Sequence, residues 1–339
     1  TYDYDIYPVI NAQNLVIADL PAFVSENEEE MQKRYSQSAQ AVYQEIVWPS
    51  LTSIASRTGA KMTCMMTPQF TYTDEEEPDG ENVTYYLKRL KEEHAEAGLS
   101  ADSREGIPLS EKIKQDQTFW QTYAPSYRFL SLYADGVKSI GEESALPAEI
   151  RTVALGSGAS GQAVGYLNEN VTLQPSTSSG IRHTFLDDFK VKCMETALGY
   201  SNITPDLYSV TYPEGDDDSW EKMSKKIAAN LGTYWKAYEA FDATTLTESD
   251  VRIRRFLALD YKQQRAGNVI TLSLEHREDA AWFLLRLHGE KVTEVAGGSF
   301  EEIEDGVYLI LAEEDEVSVE VQTGEEWQYQ DGGKRGDGT

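Results

Sequence analysis

Seven short apolar runs, each followed by a stretch long enough to cross back over a sheet, constrain this chain more than any other feature of its sequence. They are LVIADLP (15–21), KMTCMMTP (61–68), AGLSAD (97–102), YRFLSLYA (127–134), IRTVALGS (150–157), VTLQPST (171–177) and LYSVTYP (207–213). Runs this continuous suit strands buried on both faces, as parallel sheets require. The segments between them carry helical patterning. Met31, Tyr35, Ala39, Val42 and Ile46 share one face, and Gly59 supplies a stop. Thr184 and Asp187 predict a capped helix with a buried stripe of Phe185, Phe189, Cys193 and Ala197, ending at Gly199. Asp218 and Glu221 open another, with Trp220, Met223, Ile227 and Leu231 inward. Strand and helix thus alternate to about residue 240, the signature of parallel βα units.

Seven strands can form an open doubly wound sheet or a closed barrel, and the pattern leaves both open. In either, ligands gather at the carboxyl ends of the strands. That rule selects Asp19, Gln69, Asp102 to Arg104, Tyr133, Asp135, Ser157, Ser176, Thr177, Tyr212 and the acidic run Glu214 to Asp218, which includes Asp216. Past residue 267 the apolar period changes to two, in VITLSLEH (269–276), AWFLLRLHG (281–289), VYLILAEE (307–314) and EVSVEVQ (316–322). A β/α domain over 1–266 followed by a small antiparallel β domain over 267–325 is therefore expected, with a disordered tail at 326–339.

Composition narrows the function classes. Acidic residues outnumber basic ones 58 to 30, for a net charge of −28, which repels phosphate backbones and anionic lipid surfaces, so no nucleic acid is expected as a partner. No apolar run is long enough to span a bilayer, and no membrane contact is expected from this segment. The opening TYDYDIYPVINA has neither Met nor signal-peptide regions, so the chain is expected to come from a longer precursor that carries any targeting segment. Cys64 and Cys193 sit in apolar periodic stretches and read as buried thiols. The four histidines do not pair at ligand spacing, which argues against a His-rich zinc site. GSGASG (156–161) matches a dinucleotide fingerprint. The segment after it is short and broken by Gly165 and Asn168, and the next strand ends without an acidic residue for a ribose, so that reading is rejected. Trp48, Trp220 and Trp235 are expected in the core.

Several segments carry a family resemblance. IYPVINAQNLVIADLP (6–21) resembles a stretch of NodB-like polysaccharide deacetylase-related proteins from Gram-positive Pel-type exopolysaccharide systems. In that family the stretch carries an Asp-Asp pair, a general base and then a metal ligand; here it reads Ala18-Asp19. AGLSADSREG (97–106) resembles the stretch holding the two histidine metal ligands, whose positions are Ser100 and Arg104 here. LYSVTYPEGDDDSWEKM (207–223) resembles a His-Pro-Asp-Asp stretch, with Tyr212 at the His position. LRLHGEKVTEVAGGSFEEIEDGVYLI (285–310) is similar to the family's usual ending. The resemblance spans residue 6 to about 321. It implies a (β/α)7 barrel of the polysaccharide-deacetylase (NodB-like) type, a small antiparallel β domain behind it, and an extracellular or cell-surface location.

For chemistry it implies a loss. The family's reaction uses a divalent metal to polarise an acetyl carbonyl and activate water, and a carboxylate to take the proton. With Asp19 alone retained, the metal site is expected to be lost and no cofactor bound. Arg104 either forms an ion pair with Asp19 in place of the metal or points into solvent. The leading expectation is a catalytically degenerate module in exopolysaccharide (biofilm) production. It would bind polysaccharide, such as a cationic amino-sugar polymer, or an exopolysaccharide biosynthesis protein, through Asp19, Gln69, Asp102, Arg104, Tyr133, Tyr212 and Asp216. The alternative is an active carbohydrate enzyme with a non-standard site, either a deacetylase or a glycoside hydrolase using Asp19 with Asp102 or Asp216. A structural scaffold whose strand-end pocket is filled is a third.

Overall fold

The computed structural model describes residues 4–21, 23–72, 77–104, 107–136, 140, 146–157 and 162–323. Contacts divide the chain into two compact units, one of Ile10–Leu257 and one in which Thr1–Val9 joins Ala258–Thr339. Strand β1 (Tyr4–Val9) therefore belongs with the C-terminal residues.

The first unit is mixed α/β. Its strands are β2 (Ala12–Ile17), β3 (Met62–Met66), β4 (Glu96–Ser100), β5 (Ser131–Ala134), β6 (Thr152–Leu155), β7 (Gly165–Tyr166), β8 (Thr172–Pro175), β9 (Tyr200–Ile203) and β10 (Ala243–Thr244). β2, β3, β4, β5, β6 and β8 lie side by side, all parallel. β9 also pairs parallel with β2. Beyond β8, Ser178 bridges in parallel to Ile203 of β9, and the Thr177 N–H donates to the Asn202 carbonyl at 2.8 Å. The sheet is thus strongly curled, and alternation along each strand sorts its side chains between two environments. Leu15, Ile17, Cys64 and Met66 pack outward with Trp48, Trp220 and Trp235. Val16, Ala18, Met65, Tyr133 and Ala154 meet Leu246 in a separate cluster.

The amino ends of the strands carry polar side chains that tie down the start of the helix Leu246–Ala258. The Leu246 N–H donates to Thr63 Oγ1, the Thr247 N–H to Glu96 Oε2, and Gln174 Nε2 to the Leu246 carbonyl. Thr172 Oγ1 donates to Asp250 Oδ1 at 2.6 Å. This buried network satisfies the helix's free N–H groups and leaves the opposite, carboxyl ends for a site.

Two sequence expectations within this first unit are corrected. The run at 207–213 is not a strand: the seventh parallel strand is β9, and Tyr208–Thr211 is a short helix. Gly199, at φ 56°, stops the preceding helix and the chain enters the sheet at once through YSNI, whose Ser201 and Asn202 disguised it. Asp206 Oδ1 then accepts the Tyr208 N–H at 2.8 Å and starts the short helix. The second correction concerns the helix Phe185–Leu198. Its Thr184–Asp187 capping box is present, but Val191 and Glu195 face inward, while Phe185, Leu186, Phe189 and Cys193 are exposed. Cys64 is buried, as expected.

The second unit comprises β1 with β11 (Asp260–Ala266), β12 (Val269–Glu275), β13 (Ala281–Leu287), β14 (Glu290–Ala296), β15 (Gly298–Glu304), β16 (Val307–Ala312) and β17 (Glu316–Thr323). They form two four-stranded sheets, in the orders β1-β13-β16-β15 and β11-β12-β17-β14, with antiparallel pairings. Inward residues alternate with exposed ones, and Ile6, Ile270, Leu272, Phe283, Leu285, Ile310, Val317 and Val319 share one apolar core. β1 and β11, placed with the first domain by the 1–266 boundary, thus belong to this unit. The tail expected at 326–339 and residues 158–161 of GSGASG lie outside the described residues. Among the described residues no helix is long and apolar enough to cross a membrane.

Candidate functional site

Three carboxylates converge at the carboxyl ends of the parallel strands. Asp19 follows β2, Asp102 follows β4 and Asp206 follows β9, and each offers an oxygen lying within 4.8 Å of the others. Backbone pairing sets the geometry. The Ala18 N–H donates to the Pro205 carbonyl at 3.0 Å and the Leu207 N–H to the Ala18 carbonyl at 3.2 Å, so Asp206 is held beside Asp19. Asp19 adopts φ 58°, a left-handed conformation uncommon outside glycine, which re-aims its side chain at the end of its strand. Ser100, the last residue of β4, donates its hydroxyl to Asp19 Oδ1 at 2.6 Å and accepts the Asp102 N–H at 3.1 Å. One serine therefore fixes two of the three acids.

The cluster is short of positive charge. Asp19 is wholly buried, and its Oδ2 has no hydrogen-bond partner. Lys112, also buried, lies near enough to favour the Asp19 and Asp102 anions, but its Nζ is engaged by Thr67 Oγ1, Tyr72 OH and Asp116 Oδ2 at 3.0, 2.6 and 3.0 Å. Burial holds Asp19 well above the usual carboxylate range, and the Asp102 and Asp206 charges add to it. Asp102 is pushed up to about 7 by burial and then by Asp206 and Asp135. Asp206 is raised by burial against the pull of the Tyr208 N–H. Two unit charges 4–5 Å apart repel by roughly 3–4 kcal/mol at an effective dielectric of about 20. A single charge-assisted hydrogen bond contributes about 1.5–3 kcal/mol. Three anions here thus exceed what Ser100 offsets, and the group needs either protons or an added cation.

The remaining candidates surround this cluster unevenly. Tyr133 is buried in β5, its hydroxyl held well above its ordinary value by burial and by the nearby acids. Asp135, immediately after β5, is exposed and raises Asp102 and Asp206 through its charge. Gln69 is half-buried, and its carbonyl accepts the Thr67 hydroxyl at 2.8 Å. Ser176 and Thr177 are buried and spent on backbone carbonyls, while Ser157 is exposed. Asp216 is exposed in the 3-10 turn Asp216–Asp218, whose Asp217 pairs with Lys222 and Lys226.

Of the two arrangements foreseen for Arg104, the ion pair with Asp19 is not formed. Arg104 is exposed, and its guanidinium lies 4.2 Å over the Tyr212 ring instead of pairing with Asp19. That ring stacks on Tyr208 at 5.1 Å, and its hydroxyl donates to Glu26 Oε2 at 2.8 Å. Glu26 Oε1 accepts the N–H groups of Phe70 and Thr71. The result is an aromatic and cationic rim held from beneath by a buried carboxylate.

Asp206, Glu26 and Lys112 were missed by sequence reasoning. Asp206 obeys the strand-end rule that found Asp19 and Asp102, and it was lost only because β9 was unrecognised. Glu26 and Lys112 carry no local signal, since their roles come from contacts with residues 70–71, 212 and 67–72. The two-histidine metal site implied by the resemblance does not fit: Ser100 commits its hydroxyl to Asp19, Arg104 lies over Tyr212, and the donors present are all carboxylates.

Fold and site together define an α/β protein with a curled parallel sheet and an acidic centre at its strand ends. No family model matches the chain, and no curated protein matches it. Among solved structures, it is similar to a Mycobacterium smegmatis protein named as a polysaccharide deacetylase, at 9% identity and TM-score 0.42, covering 71% of this chain and 90% of that one. It is also similar to a Parabacteroides distasonis protein named as a glycoside hydrolase/deacetylase, at 10% identity and TM-score 0.39, covering 82% of both chains. An endo-β1,6-glucanase matches at 10% identity and TM-score 0.36, covering 92% of this chain and 83% of its own.

Proposed function

We propose that this chain is a polysaccharide-deacetylase-like module that binds polysaccharide at the carboxyl ends of a seven-stranded β/α barrel, outside the cell or at its surface, in exopolysaccharide production. The observation that carries this reading is the convergence of Asp19, Asp102 and Asp206 from three separate strands. Acids enclosed at such cost favour a functional over a structural role. The run of parallel pairings from β2 to β9, with the Ser178–Ile203 bridge, supports closure of the sheet. Tyr208 and Tyr212 supply aromatic faces for sugar rings, and Asp135 with the Asp216–Asp218 turn supplies exposed charge for the ammonium groups of an amino-sugar polymer.

A second reading is favoured by one observation. Asp102, at about 7 beside two further carboxylates, suits a general acid or base at neutral pH. The enclosed oxygens lie within 4.8 Å, below the roughly 6.5–9.5 Å that inverting glycosidases need for a water. Calorimetric titration with acetylated and deacetylated amino-sugar oligomers, run beside an acetate-release and a reducing-end assay, separates the readings. Binding that weakens with salt and releases nothing supports the module. Turnover abolished by Asp102→Asn supports the enzyme. Failure of every oligomer to bind sinks both.

A further inference from the structure

We infer that Asp19, Asp102 and Asp206 form an all-oxygen divalent cation site that takes a hard ion of the Mn²⁺, Mg²⁺ or Ca²⁺ class. This differs from the histidine-containing centre that the sequence resemblance implies, and two of its three ligands, Asp102 and Asp206, lie outside the positions matched to that centre. Among the described residues it is the group of three or more His, Cys, Asp or Glu side chains with ligand atoms gathered closely enough to hold a metal.

Proximity alone would not carry the assignment, since clustered acids are common in a chain with a net charge of −28. The independent observation is Asp19 Oδ2. It is buried, no described residue donates a hydrogen bond to it, and the neighbouring Asp102 and Asp206 carboxyls satisfy it only by keeping a proton. Ser100 holds the companion oxygen at 2.6 Å, which fixes the carboxylate's orientation as a ligand's supporting partner does. None of the three acids has an ion-pair partner among the described residues, and the nearby Lys112 ammonium has its hydrogen bonds directed to Thr67, Tyr72 and Asp116. A buried acceptor facing other acceptors is stabilised by a cation, and carboxylate oxygens select hard ions that keep part of their water shell. Asp135 is exposed, and its charge, which reaches Asp102, adds to the attraction for a cation.

The test needs no carbohydrate, so its outcome is separate from the fate of the polysaccharide reading. The full chain, freed of metal with chelator, is titrated with MnCl2 by calorimetry, and the bound ion is examined by pulsed electron paramagnetic resonance. One saturable site is expected, without modulation from a directly bound imidazole nitrogen. Asp206→Asn and Asp102→Asn should each weaken binding by roughly 10–100-fold or more, and the exposed double variant Glu169→Gln/Glu320→Gln should not. Asp206→Asn keeps a carbonyl oxygen for the Tyr208 N–H, and circular dichroism verifies its fold. Three results would overturn the inference: no binding up to millimolar Mn²⁺, affinity unchanged in both folded variants, or an imidazole nitrogen signal.

Discussion

Asp102 shows how one residue's surroundings become a measurable property. Its folded-state value, about 7, exceeds the roughly 3.9 of an unfolded aspartate because burial, Asp206 and Asp135 all disfavour its charge. The native state therefore holds a proton that the unfolded state releases. Its contribution is most favourable below about pH 4 and is lost as pH rises towards about 7. In chelator, Asp102→Asn should melt progressively higher than the parent as pH goes from about 4.5 to about 7.5, by several degrees, as each kcal/mol shifts a unit this size by about 2–4 °C. A gap that stays constant across that range, read by calorimetry, removes the assignment. Asp19 and Asp102 were legible because each stands just past an apolar run. Asp206 was not, since YSNI is half polar and its place beside β2 is set by pairings far apart in sequence.

At the scale of elements, caps were easier to read than faces. Thr184 and Asp187 are local signals, and the capping box is present. Which side of that helix turns inward depends on the strand it meets, and this brings Val191 and Glu195 in while Phe185 stays 86% exposed and Phe189 57%. Replacing both phenylalanines with serine should therefore change stability by about 0.5 kcal/mol or less, measured by urea unfolding. Glu195 behaves oppositely. Burial pushes it up to about 8, with Ser201 pulling the other way, so its folded value again lies above the unfolded one. Stability is lost as pH climbs from about 4 through about 8, and Glu195→Gln should gain on the parent as pH approaches about 9. The helix Leu109–Tyr123 carries a third case, the buried Lys112–Asp116 pair at 3.0 Å. Lys112→Met leaves Asp116 uncompensated and should cost about 3–5 kcal/mol. Adding Asp116→Leu should recover much of that loss, and denaturant melts of the single and double variants check it.

At the scale of the molecule, alternating strand and crossover fixed the parallel class, and the change to period two located the second set of strands. The curl of the parallel sheet was not readable, because an open sheet and a closed one use the same buried runs. Nor was the assignment of β1, whose partner is β13. Residues 6–21 read as one continuous segment, yet Ile10 begins the other unit. Deleting residues 1–9 should lower the melting transition of the second unit by several degrees and leave that of the first in place, as resolved by scanning calorimetry. The deletion removes an edge strand and six residues' worth of pairing, from Tyr4 opposite Leu287 to Val9 opposite Trp282.

That pairing also gives the chain a schedule. During synthesis β1 leaves the ribosome ahead of the whole first unit, and its partner is not made until residue 287. For that interval a six-residue strand waits unpaired while all of Ile10–Leu257 is produced. The second unit can assemble only after the first has been made, so a chain stalled or cut short before β13 keeps an open β edge ahead of it, the kind of edge that recruits other chains.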